Sequence, residues 1–80
     1  MGIKPIPRKK FVKFLKSIGL KLIRSESSHE LYDYPEPEKK LLRPVTVDTN
    51  YNEVPLLHIH TNLQTLGMTK KEFIEKLKDV

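Results

Sequence analysis

Phe11, Phe14, Leu15 and Ile18 recur at the i, i+3, i+4, i+7 spacing that gathers apolar side chains on one face of an α-helix. Lys9, Lys10, Lys13 and Lys16 take the opposite side, and Gly19 suits the left-handed conformation in which such helices end. Pro7 fits the first turn, where its missing N–H is no loss. The chain therefore opens with a basic amphipathic helix whose apolar face must be covered by the remaining residues. With 80 residues and no cysteine, the cover has to come from packing within one domain, residues 1–80. Such a core is too small to enclose a deep cofactor pocket, and no cofactor is expected.

The middle of the chain reads as strands. Residues 20–24 and 29–34 carry strand patterns, separated by Ser25-Glu26-Ser27-Ser28, whose short hydroxyl side chains bond their own backbone in tight turns. In the second strand Glu30, Tyr32 and Tyr34 point one way, and His29, Leu31 and Asp33 the other. Prolines and charges make 35–40 a loop. Residues 41–47 read as a third strand, with Pro44 marking an edge or a bulge, and 48–52 as a polar loop. Leu56, Ile59, Leu63 and Leu66 return to helical spacing, closed by Gly67. Thr69-Lys70-Lys71-Glu72 has the form of a capping box and opens a short last helix with Phe73, Ile74 and Leu77 on its apolar face. The order α-β-β-β-α predicts an α+β fold: a three-stranded antiparallel sheet with helices on one face. That is the architecture of double-stranded-RNA-binding-like domains.

Charge narrows the partners. The formal net charge is +5, and Lys4, Arg8, Lys9, Lys10, Lys13, Lys16, Lys21 and Arg24 all fall in the first thirty residues. A basic face of this kind attracts nucleic acid through phosphate contacts and counterion release, although it also serves many proteins as a solvated surface. The longest apolar runs are interrupted by lysines, histidines and Asn62, and the N-terminus lacks a continuous apolar stretch. Neither a membrane span nor a signal peptide is expected, and the default compartment is the cytoplasm.

The candidate chemistry centres on His29, which comes directly after Ser27-Ser28 at the start of the second strand. Histidine exchanges protons near neutral pH, so it can take the 2′-hydroxyl proton of RNA while cations hold the phosphate. Ser28 can donate a hydrogen bond to a phosphate oxygen, and Lys9, Lys10, Lys13, Arg24 and Arg43 are the candidate phosphate contacts. The plainer alternative is a polar strand residue in solvent. His58 and His60 share a face only in a strand; on a helix they point nearly opposite ways, so no metal site is expected. One of the two is expected in the core and the other in water. Tyr32 and Tyr34 read as packing or partner-contact residues.

The chain also resembles the HicA family of small toxins, messenger-RNA interferases neutralised by HicB antitoxins. The resemblance covers nearly all of it. It rests on the helix Phe11-Val12-Lys13-Phe14-Leu15-Lys16-Ser17-Ile18-Gly19 and the strand Leu22-Ile23-Arg24. Ser27-Ser28-His29 stands at the family's Gly-Ser-His signature, and Arg43-Pro44-Val45-Thr46-Val47 at its Arg-Pro-Val-Thr-Val-like strand. Leu66-Gly67-Met68-Thr69 and Glu72-Phe73-Ile74 match its closing helices. The resemblance implies an endoribonuclease with His29 as catalytic residue, RNA as substrate and a HicB-like antitoxin as partner. Two positions depart from the pattern. Ser27 replaces the signature glycine, in a turn that glycine would suit if φ is positive. Leu57-His58-Ile59-His60 replaces Gly-Thr-Leu-Arg before the penultimate helix. A non-cleaving RNA-binding domain of the same fold is the alternative.

Overall fold

A computed structural model describes residues 4–80. Residues Ile6–Pro7 form a short strand, β1, and helix α1 spans Arg8–Ser17. Pro7 is the N-cap, not part of the first turn, because its ψ of 134° keeps it extended. Strand β1 needs that extension to pair antiparallel with a distant segment, Ile6 facing Val54 and Pro7 facing Glu53.

The main sheet is antiparallel, in the order β2 (Lys21–Glu26), β3 (His29–Asp33), β4 (Val45–Asp48). Strand β2 runs two residues further than the sequence pattern marks, since Ser25 pairs with Glu30 and Glu26 with His29. Only Ser27 and Ser28 remain for the turn. Strand β4 starts later than expected. Pro44 brings no N–H to a ladder, and the N–H of Leu41 is already committed to the buried carboxylate of Asp33, at 3.0 Å. Asp33 Oδ1 also accepts from the Tyr34 N–H at 2.7 Å, so it fixes both ends of the loop between β3 and β4. Beyond β4, Glu53–Val54 forms β5, the partner of β1, just past the polar loop that the sequence pattern marks.

Helices α2 (Leu56–Leu66) and α3 (Lys70–Leu77) close the chain. Gly67 separates them at φ 69°, the left-handed C-cap expected from sequence. The capping box is formed: the Glu72 N–H donates to Thr69 Oγ1 at 3.1 Å, and the Thr69 N–H to Glu72 Oε1 at 3.3 Å.

The core joins all three helices to one face of the sheet. Phe11, Phe14 and Leu15 of α1, Ile59 and Leu63 of α2, and Phe73 of α3 meet Tyr32, Val45 and Val47. Phe14 and Phe73 pack edge to face with ring centroids 4.8 Å apart, a preferred aromatic geometry. The register puts Tyr32 opposite Val45 and Glu30 opposite Val47, so these four share the core face. His29, Leu31, Thr46 and Asp48 share the other face. No helix of the described residues is long and apolar enough to cross a membrane.

Tyr32 ties this core to pH. Its ring is buried, and its hydroxyl donates to Glu30 Oε1 at 3.2 Å. Burial first, and the Glu30 charge second, push its pKa up to about 12. Ionisation is then harder in the folded than in the unfolded chain, so stability present below pH 10 drains away as pH rises toward 12. The loss amounts to at most about 3 kcal/mol, from a rise of about two pKa units at 1.36 kcal/mol each. Urea unfolding between pH 9 and pH 12 should show this decline, and Tyr32→Phe should flatten it. An equally steep decline in Tyr32→Phe would refute the assignment.

Candidate functional site

The hairpin linking β2 and β3 sets the site. With Glu26 paired to His29, only Ser27 and Ser28 cross between the strands. Ser27 has φ 56°, the one positive φ at a non-glycine among the described residues. Positive φ at the first of two central residues alone is the sign pattern of a type II′ turn, which favours glycine there. Ser27 thus adopts a conformation for which glycine is suited. The turn also places His29 as the first residue of β3, on the face away from the core.

The segment after β4 fixes the turn from outside. Thr49 donates both its N–H (2.8 Å) and its Oγ1–H (2.9 Å) to the carbonyl of Ser28. Arg8, at the start of α1, donates through Nη1 to the carbonyls of Thr49 (2.6 Å) and Tyr51 (3.0 Å). Arg8 is thus a structural tie, holding the loop that holds the turn.

His29 faces a carboxylate. Its Nε2 lies 3.7 Å from Asp48 Oδ2, beyond hydrogen-bond length but within ion-pair range. The His29 side chain is 49% exposed and that of Asp48 only 17%, so a ligand can reach the imidazole while the carboxylate stays behind it. Asp48 is held in turn by the Asn50 N–H, which donates to its Oδ1 at 2.9 Å. Histidine backed by a fixed carboxylate is an arrangement that orients an imidazole for proton transfer.

Beside this pair lies a hollow of about 260 Å³. The sheet contributes His29, Thr46 and Asp48; helix α2 contributes Leu57, His58, Thr61 and Asn62. Helix α2 stands there because Asn62, buried, bonds the outer edge of β4. Its Nδ2 donates to the Thr46 carbonyl at 3.0 Å, and its Oδ1 accepts the Thr46 N–H at 3.4 Å. His29 therefore does lie on the face away from the core, but α2 walls one side of it. His58 and His60 both fall within α2, and both are half-buried; the expected division into one core and one solvent histidine does not occur. His58 lines the hollow, with Tyr51 edge-on to its ring at 5.5 Å between centroids.

The other candidate residues are scattered. Arg24 shares the open face, opposite Leu31, where its Nε pairs with Glu26 Oε2 at 3.2 Å. Arg43 lines a second hollow that shares Thr61 with the first, so it lies along the same flank of α2. Lys9, Lys10 and Lys13 are exposed on α1, and the structure does not bring them to the hollow. Ser28 borders the site, its carbonyl fully engaged by Thr49. Sequence reasoning misses Asp48, which lies in a stretch that reads as loop, and weighs His58 only as a metal ligand with His60. The signal for Asp48 is partial: the alternation of β3 extended across to β4 places it opposite His29, but only once the register is known.

No family model matches the chain, and no curated protein matches it either.

The strained turn can be tested directly. Replacing Ser27 by glycine removes a left-handed penalty of about 1–2 kcal/mol and adds about 0.5–1 kcal/mol of unfolded-chain entropy. Ser27→Gly should therefore stabilise the fold by about 0.5–1 kcal/mol, raising the unfolding midpoint by a few degrees. A lowered midpoint would show that the turn does not hold residue 27 at positive φ.

Proposed function

We propose that this protein is an endoribonuclease of the HicA toxin kind, cutting RNA with the substrate's own 2′-hydroxyl as nucleophile. One observation carries the reading: a half-exposed His29 backed at 3.7 Å by the shielded carboxylate of Asp48, on the open face of the sheet. The carboxylate beside Nε2 favours the tautomer with its proton there. The Nδ1 lone pair is then free to accept a proton from a bound ribose. RNA needs no enzyme nucleophile, so one oriented base and nearby cations supply much of what the first step demands. Arg43, which lines the adjoining hollow along α2, is the candidate to hold a neighbouring phosphate, and Arg24 shares the open sheet face with His29. The lysines of α1 draw the polyanion in at longer range, consistent with the net charge of +5. On this reading a HicB-like antitoxin neutralises the protein by covering His29.

The test is incubation of purified protein with labelled single-stranded RNA in EDTA. Cleavage should proceed and leave 2′,3′-cyclic phosphate ends. His29→Ala should slow it by about 10²–10⁴-fold. As a half-exposed residue, His29 should be replaceable with a stability change of only about 0.5 kcal/mol. Chelator-sensitive cleavage, or an unimpaired His29→Ala variant, would overturn the mechanism. Wild-type protein that binds RNA without cutting it would establish the RNA-binding alternative.

A further inference from the structure

Attack by a 2′-hydroxyl moves two protons, and the base accounts for only one. The 2′-oxygen loses a proton and bonds to phosphorus; the bond from phosphorus to the 5′-oxygen breaks, and that oxygen departs with the electron pair. An alkoxide leaves poorly unless a proton meets it. Within the hollow, the side chains that exchange protons near neutral pH are His29 and His58.

We infer that His58 is a second catalytic residue, the general acid that protonates the departing 5′-oxygen; this rests on the ribonuclease reading of His29. His58 stands on a different element from His29 but lines the same hollow, so a phosphodiester lying there is bordered by both residues. Its placement is built. Asn62 lies one helical turn further along α2, and its bonds to Thr46 seat that face of the helix against β4. Tyr51 meets the imidazole edge-on at 89°, and the Tyr51 carbonyl is itself held by Arg8 at 3.0 Å. His60, two residues on, lies about 200° around the helix and does not line the hollow. The step balances. His29 takes the 2′-hydroxyl proton, the His58 imidazolium gives one to the 5′-oxygen, and the products are a 2′,3′-cyclic phosphate and a free 5′-hydroxyl. Exchange with water then returns both imidazoles to their starting states.

A leaving group that needs no proton separates this role from a structural one. The full-length protein is given two oligonucleotides, each with a single ribonucleotide. One carries the ordinary linkage; the other carries sulfur in place of the bridging 5′-oxygen, which departs as a thiolate. His58→Gln should lose about 10²–10⁴-fold on the ordinary linkage and stay within about tenfold of wild type on the sulfur linkage. His29→Ala should lose activity on both, and His60→Gln on neither. An ordinary-linkage rate unchanged in His58→Gln overturns the inference. Equal losses on both linkages in His58→Gln and His58→Asn alike, through chemistry or through folding, also overturn it. Wild-type protein that cuts neither oligonucleotide brings down the ribonuclease reading itself, a result distinct from either.

Discussion

Asn62 gives its side-chain amide to both free backbone groups of Thr46, and the candidate site depends on that pairing. Strand β4 is an outer strand of the sheet, and its unpaired N–H and C=O would otherwise need water or another chain. A buried carboxamide satisfies both at once, at 3.0 and 3.4 Å, and so locks α2 along the strand. Ile59 and Leu63 then turn into the core beside Val45 and Val47, while His58 and Thr61 border the open side. Without that attachment His29 and Asp48 would form a pair on a flat sheet. With it, they form one wall of a hollow.

The lysines of α1 and the candidate site belong to different elements of the fold. The lysines of α1 do not line the hollow beside His29, whereas Arg24 shares its face of the sheet and Arg43 lines the adjoining hollow along α2. Under the proposed reading these groups do different work. Long-range attraction depends on net charge and tolerates distance, but stabilising a crowded phosphate requires a group within contact range. Arg24 is partly spent on Glu26, at 3.2 Å, whereas Arg43 is exposed on the flank of α2. Arg8 adds to the net charge but is also a structural tie. Its guanidinium is engaged by two carbonyls and ties the start of α1 to the loop behind Asp48.

Periodic features of the sequence carry most of the fold. The spacing of Phe11, Phe14 and Leu15, the helix from Leu56 to Leu66, the Gly67 break and the Thr69–Glu72 capping box all rest on local rules, and the structure contains each. The paired segments Ile6–Pro7 and Glu53–Val54 are not legible, because a two-residue strand has no period and gains its bonds only from a partner 46 positions or more away. The true end of β2 is hidden for a related cause: Ser25 and Glu26 look like turn residues, and only the hairpin register shows them paired. His29 is legible as a candidate because it stands after a turn. Its companions are not. Asp48 and His58 reach it through strand register and through the docking of α2, both long-range consequences of packing.

Central to the proposed chemistry is that one RNA phosphate, bound beside α2, engages His29 and His58 together. Imidazole resonances tracked by NMR during titration with a 2′-O-methyl RNA oligonucleotide, which binds but has no free 2′-hydroxyl to attack with, read this most directly. Saturable shifts of the His29 and His58 signals with a common midpoint are predicted, while His60 stays nearly still. Shifts confined to α1, or a His29 signal that moves while His58 does not, would contradict it.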